Sequence, residues 1–272
     1  MAFDLIKIFD DINHLKVAVI GDIMLDTYWW GSVDRISPEG PVPVVAVTKK
    51  EMRIGGAANV ALNAKAMGAS VAVLSVIGDD EEGKQLLKLL EEKNINVDAI
   101  LASNKRITTN KIRIIGRNQQ MMRLDAEIQK DLDEEDEDLF IESIINFIER
   151  EKPDVIILED YNKGVLTEHV ISEVITLSNK RKIITAVDPK HRNFFSYKNV
   201  TLFKPNFKEV KESLNILSSE MSVEAMSAIH TKLHEKLNHD ISLITLSEHG
   251  IFYQRKNDAD ILDSHIRNIA DV

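Results

Sequence analysis

Short β-branched runs recurring between helix-spaced stretches constrain this chain more than any other feature. VAVIGD (17–22), VAVLSVIGD (71–79), DVIILED (154–160), KIITAVD (182–188) and ISLITLS (241–247) are each almost continuously apolar and close on an acid, Gly or Ser. Runs of this kind predict strands buried on both faces, since a half-exposed strand would alternate. Between them, residues 57–67, 80–93, 133–150, 166–180 and 222–238 have helical spacing. That alternation predicts βαβ units and an α/β fold, a mostly parallel sheet sandwiched between helices. Ligands of such sheets sit beyond the carboxyl ends of the strands, where these acids and glycines fall.

Two stretches break the rhythm. VPVVAVTKKEMRI (42–54) and TTNKIRIIGRNQQMMRLD (108–125) are long β segments with no helix between their halves. They predict a smaller β element projecting from the main body, a lid built from segments about 30–54 and 106–125. No repeat or low-complexity linker divides the 272 residues, and the 44% apolar content suffices for one core, so 1–272 is read as a single domain. A net charge of −10 argues against nucleic acid as a partner. An anionic ligand must therefore be held by a local group of Lys, Arg and backbone N–H. The absence of cysteine rules out disulfides and thiolate metal sites and fits a cytoplasmic compartment. MAFDLIKIFDDINHLK lacks the apolar core and cleavage site of a signal peptide, and Asn63, Lys65 and Gly68 interrupt the most apolar stretch, so no membrane span is expected.

Several motifs have both a chemical and a structural reading. RIGGAANVALNAKAMG (53–68) places Gly55-Gly56 before a small-residue helix with an amide at Asn59. Paired glycines allow close backbone approach, and a helix start offers unpaired N–H groups. In GDIMLD (21–26), Asp22 can cap a turn, while Asp26 can either cap or accept hydrogen bonds from sugar hydroxyls. KPNFKE (204–209) sets Asn206 and Glu209 three apart, which suits a capping box or an amide–carboxylate pair organising hydrated magnesium. ITLSEHG (244–250) ends a strand with Thr245, Ser247 and Gly250, suited to a nucleotide, with His249 an exposed turn residue. GDDEEGKQ (78–85) nearly fits a phosphate-binding loop, but acids crowd the phosphate positions and Gln85 replaces the needed hydroxyl. The acidic run DLDEEDED (131–138) reads as a solvated helix start.

Taken together and in order, GDIMLDTYWWGSVDRISPEGPVPVV, RIGGAANVALNAKAMGA, RNQQMMRLD, EDYNKG, VDPK and KPNFKE resemble the ribokinase-like carbohydrate kinases, most closely their heptose-7-phosphate kinase branch. The resemblance implies a ribokinase-like three-layer α/β sandwich with a small β lid. It also implies transfer of the ATP γ-phosphoryl group to the anomeric hydroxyl of D-glycero-β-D-manno-heptose 7-phosphate. Asp26, Gly55, Gly56 and Asn59 would then hold sugar hydroxyls. Arg35, Arg117, Asn118, Gln119 and Arg123 would serve the 7-phosphate or lid closure, with Asp160 and Lys163 facing the crevice. Lys190, Asn206, Glu209, Thr245, Ser247 and Gly250 would serve ATP, Glu209 arranging Mg2+ through water. A homodimer through the lid is implied as well, and a monovalent-cation requirement is left open. The chain closes on RNIADV, whereas the resemblance places the catalytic base in a Gly-Ala-Gly-Asp segment beyond Val272. The C-terminal part of the fold is thus expected to be missing from this chain, Asp271 is not that base, and no catalytic residue is assigned within it. Two alternatives stand beside this reading: a kinase for another phosphosugar, and a non-catalytic sugar-phosphate-binding fragment.

Overall fold

The computed structural model describes residues 5–117 and 119–264. After a first helix, α1 (Leu5–Ile12), comes β1 (Lys16–Gly21), an interior strand of the main sheet. Alternate β1 side chains enter different cores. Val17 and Val19 join one apolar cluster, Ala18 and Ile20 the other, so both faces are dry, as the unbroken apolar runs require.

The sheet also contains β4 (Ser70–Gly78), β5 (Asn96–Ser103), β8 (Val155–Glu159), β9 (Ile184–Asp188), β10 (Leu202–Phe203) and β11 (Ile241–Thr245). These run parallel in the order β5-β4-β1-β8-β9-β10-β11, and an antiparallel hairpin, β12 (Ile251–Arg255) and β13 (Asp258–Leu262), extends the β11 edge. One face carries α2 (Ala57–Ala66) and α3 (Glu81–Glu92); the other carries α4 (Glu134–Glu151), α5 (Glu168–Arg181), α6 (Phe207–Leu214) and α7 (Val223–Leu237). Ala57, Ala58, Ala61 and Ala64 form the buried stripe of α2, and their small side chains let it lie close against the sheet. Asp80, Asp133, Thr167 and Ser222 cap four of the helices by accepting a backbone N–H from the first turn. GDDEEGKQ and DLDEEDED are therefore helix starts: Asp80 accepts from Gly83 at 2.8 Å and Asp133 from Asp136 at 3.0 Å.

The second sheet is the lid. It holds β2 (Ile23–Ile36), β3 (Pro43–Gly56), β6 (Asn110–Gly116) and β7 (Gln119–Ala126) in the order β3-β2-β6-β7. It is rooted without linkers, because only Asp22 separates β1 from β2 and α2 begins directly after Gly56. This explains the paired glycines. Gly56 has φ +62°, and a Cβ there would stand 2.4 Å from the Asp22 carbonyl oxygen. A Cβ on Gly55 would stand 2.3 Å from an Asp26 carboxylate oxygen. The sequence places the start of this lid near residue 30, whereas β2 runs from Ile23 and carries Asp26 on a strand. Among the described residues no helix is long and apolar enough to cross a membrane.

Gly56→Ala combines a disfavoured backbone angle, worth about 1–3 kcal/mol, with that overlap. The variant is expected to lose at least this much unfolding free energy in urea titrations, with a lower midpoint than wild type. An unchanged midpoint would show that the lid root tolerates a side chain.

Candidate functional site

Asp22 is the anchor of the site. Its carboxylate is 1% exposed and accepts three backbone N–H groups from the segment after β8: Tyr161 at 2.8 Å, Lys163 at 3.0 Å and Val165 at 3.1 Å. Burial raises its pKa, opposed by those three bonds and by Arg106. The turn-capping role considered for Asp22 thus becomes a long-range one, fixing the 160–165 loop beneath the lid.

Above this loop, Asp26 projects from β2 and accepts from Arg113 on β6 at 2.6 Å, both side chains about one-fifth exposed. Strand register puts Arg53 and Lys111 beside Asp26, Arg113 beside Tyr28, and Arg123 opposite Arg113. All share one face of the lid, since residues two apart on a strand point the same way. Tyr28 stacks on Trp30 with ring centroids 5.5 Å apart, and the Arg53 guanidinium lies 4.7 Å from the Tyr28 ring centre. Arg53, Lys111 and Arg113 were not singled out from the sequence. The period-two alternation of KIRII, which aligns Lys111 and Arg113 on one face, is the signal that could have found them.

The other expected sugar-side residues separate into groups. Asn59 is exposed one turn into α2 and makes no side-chain hydrogen bond among the described residues. Lys163 pairs with Glu127 at 2.8 Å. Arg35 and Arg117 instead line a groove of about 440 Å³ near the lid tip with Val33, Gln119 and Met121. Arg35 is nine residues along β2 from Asp26, roughly 30 Å at ~3.3 Å per residue. One sugar phosphate cannot contact both Asp26 and Arg35 of the same chain, which corrects their grouping around a shared ligand. Arg123 is bonded to Asp125 at 2.9 Å, and Asn118 lies outside the described residues. Asp160 does not face the crevice as expected. It is 1% exposed, accepting from the Tyr197 hydroxyl at 2.8 Å and the Asn162 N–H at 2.7 Å, and burial lifts its pKa to about 6.

Beyond the ends of β10 and β11 a cavity of about 900 Å³ is lined by Asn206, Thr245, Ser247 and Gly250, among others. Asn206 and Thr245 meet in a parallel bridge, and Gly250 has φ +96°, where a Cβ would strike the Leu262 carbonyl. His249 is exposed in the adjoining turn. Asn206 and Glu209 form a complete capping box on α6: Asn206 accepts the Glu209 N–H at 2.9 Å, and Glu209 accepts the Asn206 N–H at 2.8 Å. The other Glu209 oxygen accepts from Lys190 at 2.7 Å. Each Glu209 oxygen thus already accepts one hydrogen bond, from the Asn206 N–H and from the Lys190 ammonium, and a magnesium-bound water would share one of them. Among the described residues no group of three His, Asp or Glu is arranged for a metal ion. The Lys190 ammonium is held charged against burial by Glu209 and Asp188.

A strand-topped sandwich with a four-stranded lid over the carboxyl ends is the fold of phosphofructokinase-2 from Escherichia coli in complex with fructose-6-phosphate. The two superpose with a TM-score of 0.72 over 92% of this chain and 80% of that one, at 16% identity, a likeness of fold. Residues 14–270 match the model of the pfkB family carbohydrate kinases, and the chain belongs to that family. It is 42% identical over 237 residues to the bifunctional protein HldE of Aliarcobacter butzleri (strain RM4018), covering 87% of this chain and 49% of that protein. It is 37% identical over 262 residues to the bifunctional protein HldE of Syntrophotalea carbinolica, covering 96% and 53%. The chain therefore spans about half the length of these curated relatives.

Glu159, buried at the end of β8, gives the site a pH dependence. Burial and the neighbouring Asp188 carboxylate raise its pKa from 4.5 to about 8. The folded state therefore holds a proton that the unfolded state releases, and this residue's contribution falls as pH climbs from about 4.5 to about 8. Glu159→Gln should gain stability relative to wild type between pH 5 and pH 8 in urea titrations. A difference independent of pH would contradict the assignment.

Proposed function

We propose that this chain is the kinase module of a sugar-phosphate pathway, transferring the ATP γ-phosphoryl group to the anomeric hydroxyl of a heptose 7-phosphate. The observation that carries the reading is the pairing of two sites along the sheet's carboxyl edge. A carboxylate, Asp26, stands over a glycine cradle at the root of a cation-rich lid, and a nucleotide-sized cavity opens beyond β10 and β11. Membership of a carbohydrate kinase family agrees with it, as does the resemblance of GDIMLD, RNQQMMRLD and KPNFKE to the heptose kinase branch.

In this reading Asp26 accepts from acceptor hydroxyls, while the Gly55 position lets the sugar approach the backbone. Arg113 orients Asp26, and on the same lid face Arg123 keeps the role toward the acceptor's own phosphate that the resemblance gives it, joined there by Arg53 in place of Arg35 and Arg117. Asn206, Thr245, Ser247 and Gly250 border the nucleotide, and Lys190 approaches its phosphates. Magnesium bound to the nucleotide phosphates near Asn206 and Glu209 would supply charge neutralisation between donor and acceptor. Proton removal from the acceptor hydroxyl belongs to a base beyond the described residues. The opposite lid face, bearing Met52, Met122 and Leu124 at 40–54% exposure, supports pairing of two copies through the lid.

Release of ADP with a panel of phosphosugars, measured on the protein from its full reading frame, tests the activity. Heptose 7-phosphate should give the highest kcat/KM. Preferential use of fructose 6-phosphate would favour the other phosphosugar reading, and binding without turnover the non-catalytic one. Asp26→Asn is expected to weaken sugar-phosphate binding by about 1–3 kcal/mol with ATP affinity unchanged. Calorimetry on both ligands checks this, and equal losses for both would point to a general defect.

A further inference from the structure

The cations bordering the crevice are almost all paired with carboxylates. Arg53 bonds Glu51, Arg113 bonds Asp26, Arg123 bonds Asp125, Lys163 bonds Glu127, Lys190 bonds Glu209 and Lys204 bonds Asp188. Lys111 differs. It is half-buried on the crevice face of β6, and among the described residues no carboxylate oxygen lies within 4.0 Å of its ammonium. Its partner is the ring of Tyr161, whose centre is 5.9 Å away. Glu127 feels its charge through space without bonding it, so this half-buried ammonium keeps its hydrogen-bond donors open to an arriving anion.

Its place identifies that anion. In register, Lys111 is the neighbour of Asp26. Lys190 approaches the same Tyr161 ring from the main sheet, at 5.7 Å, and bonds Glu209 on the helix whose cap, Asn206, borders the nucleotide cavity. The Tyr161 main chain is fixed beneath them, because its N–H is held by Asp22 at 2.8 Å. The two ammonium groups thus converge on one ring between the hydroxyl-binding carboxylate and the nucleotide. The anion that must pass between those points is the transferred phosphoryl group.

We propose that Lys111 is a catalytic residue, contacting the phosphoryl group in transit from the lid side while Lys190 contacts it from the sheet side. The proposal rests on the kinase reading above. In the step it assists, the bond from the γ-phosphorus to the bridging oxygen of ATP breaks and the bond to the acceptor hydroxyl oxygen forms. ADP departs with the bridging oxygen, and the hydroxyl proton is released to a base or water. In transit the phosphoryl group is planar with its charge spread over three equatorial oxygens, so a cation placed to meet that arrangement favours the transition state over the bound reactants. Because Lys111 rides on the lid, this stabilisation is complete only when the lid is down over both substrates.

The test uses equilibrium binding to Lys111→Met, which keeps the stem and removes the charge, with Lys111→Gln as a second neutral variant and Lys111→Arg as the charge-retaining control. Calorimetry measures ATP alone, heptose 7-phosphate alone, and ADP with aluminium fluoride in the presence of heptose 7-phosphate, which mimics the phosphoryl group in transit. The neutral variants should lose about 10–100-fold in affinity for the mimic, hold both single ligands near wild-type affinity, and be largely rescued by Arg. An equal loss for heptose 7-phosphate alone would assign Lys111 to the acceptor's own phosphate and overturn the proposal, as would no loss at all. A wild-type protein that binds neither ATP nor any sugar phosphate would overturn the kinase reading itself, and this proposal with it.

Discussion

The structure depends on a carboxylate that never meets water. Asp22 uses every polar atom it has to bind a different part of the fold. Its N–H donates to the Glu159 carbonyl at the end of β8, and its carbonyl accepts the Ala57 N–H at the start of α2. Its side chain takes the three N–H groups of the 160–165 loop. Burying such a charge is costly, and charge-assisted hydrogen bonds offset that cost only if all are made together. Lid root, glycine cradle and crevice floor are consequently assembled as one unit. Replacing Asp22 by a residue that accepts fewer bonds would loosen all three at once.

The proposed anion site has to be built in a chain of net charge −10. The cations of the site stand on one lid face and at the ends of β9 and β10, and all but Lys111 are held by a bonded acid, as Lys190 is by Glu209 and Asp188. Pairing fixes their positions in the absence of ligand and keeps the cluster from repelling itself. The same carboxylates can then share their cations with an arriving phosphate without large movement. Glu159 and Asp160, pushed towards neutrality by burial, add little opposing charge at mildly acidic pH.

The main sheet was legible because its strands are buried on both faces, and continuous β-branched runs signal that burial directly. β5 escaped notice because it is an edge strand with most of its residues half-exposed or exposed, so NVDAILAS carries no clean pattern. β10 has only two residues, and β12 and β13 mix polar and apolar positions in an exposed hairpin. The site was legible in part for a related reason. Asn206, Thr245, Ser247 and Gly250 meet because strand ends and helix starts converge, a rule that needs no register. Arg113 and Lys111 meet Asp26 only through the parallel pairing of β2 with β6, strands more than eighty residues apart, whose alignment is set by tertiary packing. Arg35 looked equivalent to them by charge, yet distance along a strand places it near the tip.

A lid that swung as one body about Asp22 would use β2, which pairs with β3 through two register shifts, as a lever. Of its 14 residues, Asp26 is the fourth, roughly 10 Å from the root, while Ile36 lies roughly 40 Å out. A rigid swing that displaces the tip by several ångströms therefore moves the Asp26 carboxylate by only about a quarter as much. Large excursions at the tip become fine adjustments at the crevice, and whatever grips the far end of the lid works with a mechanical advantage over the site.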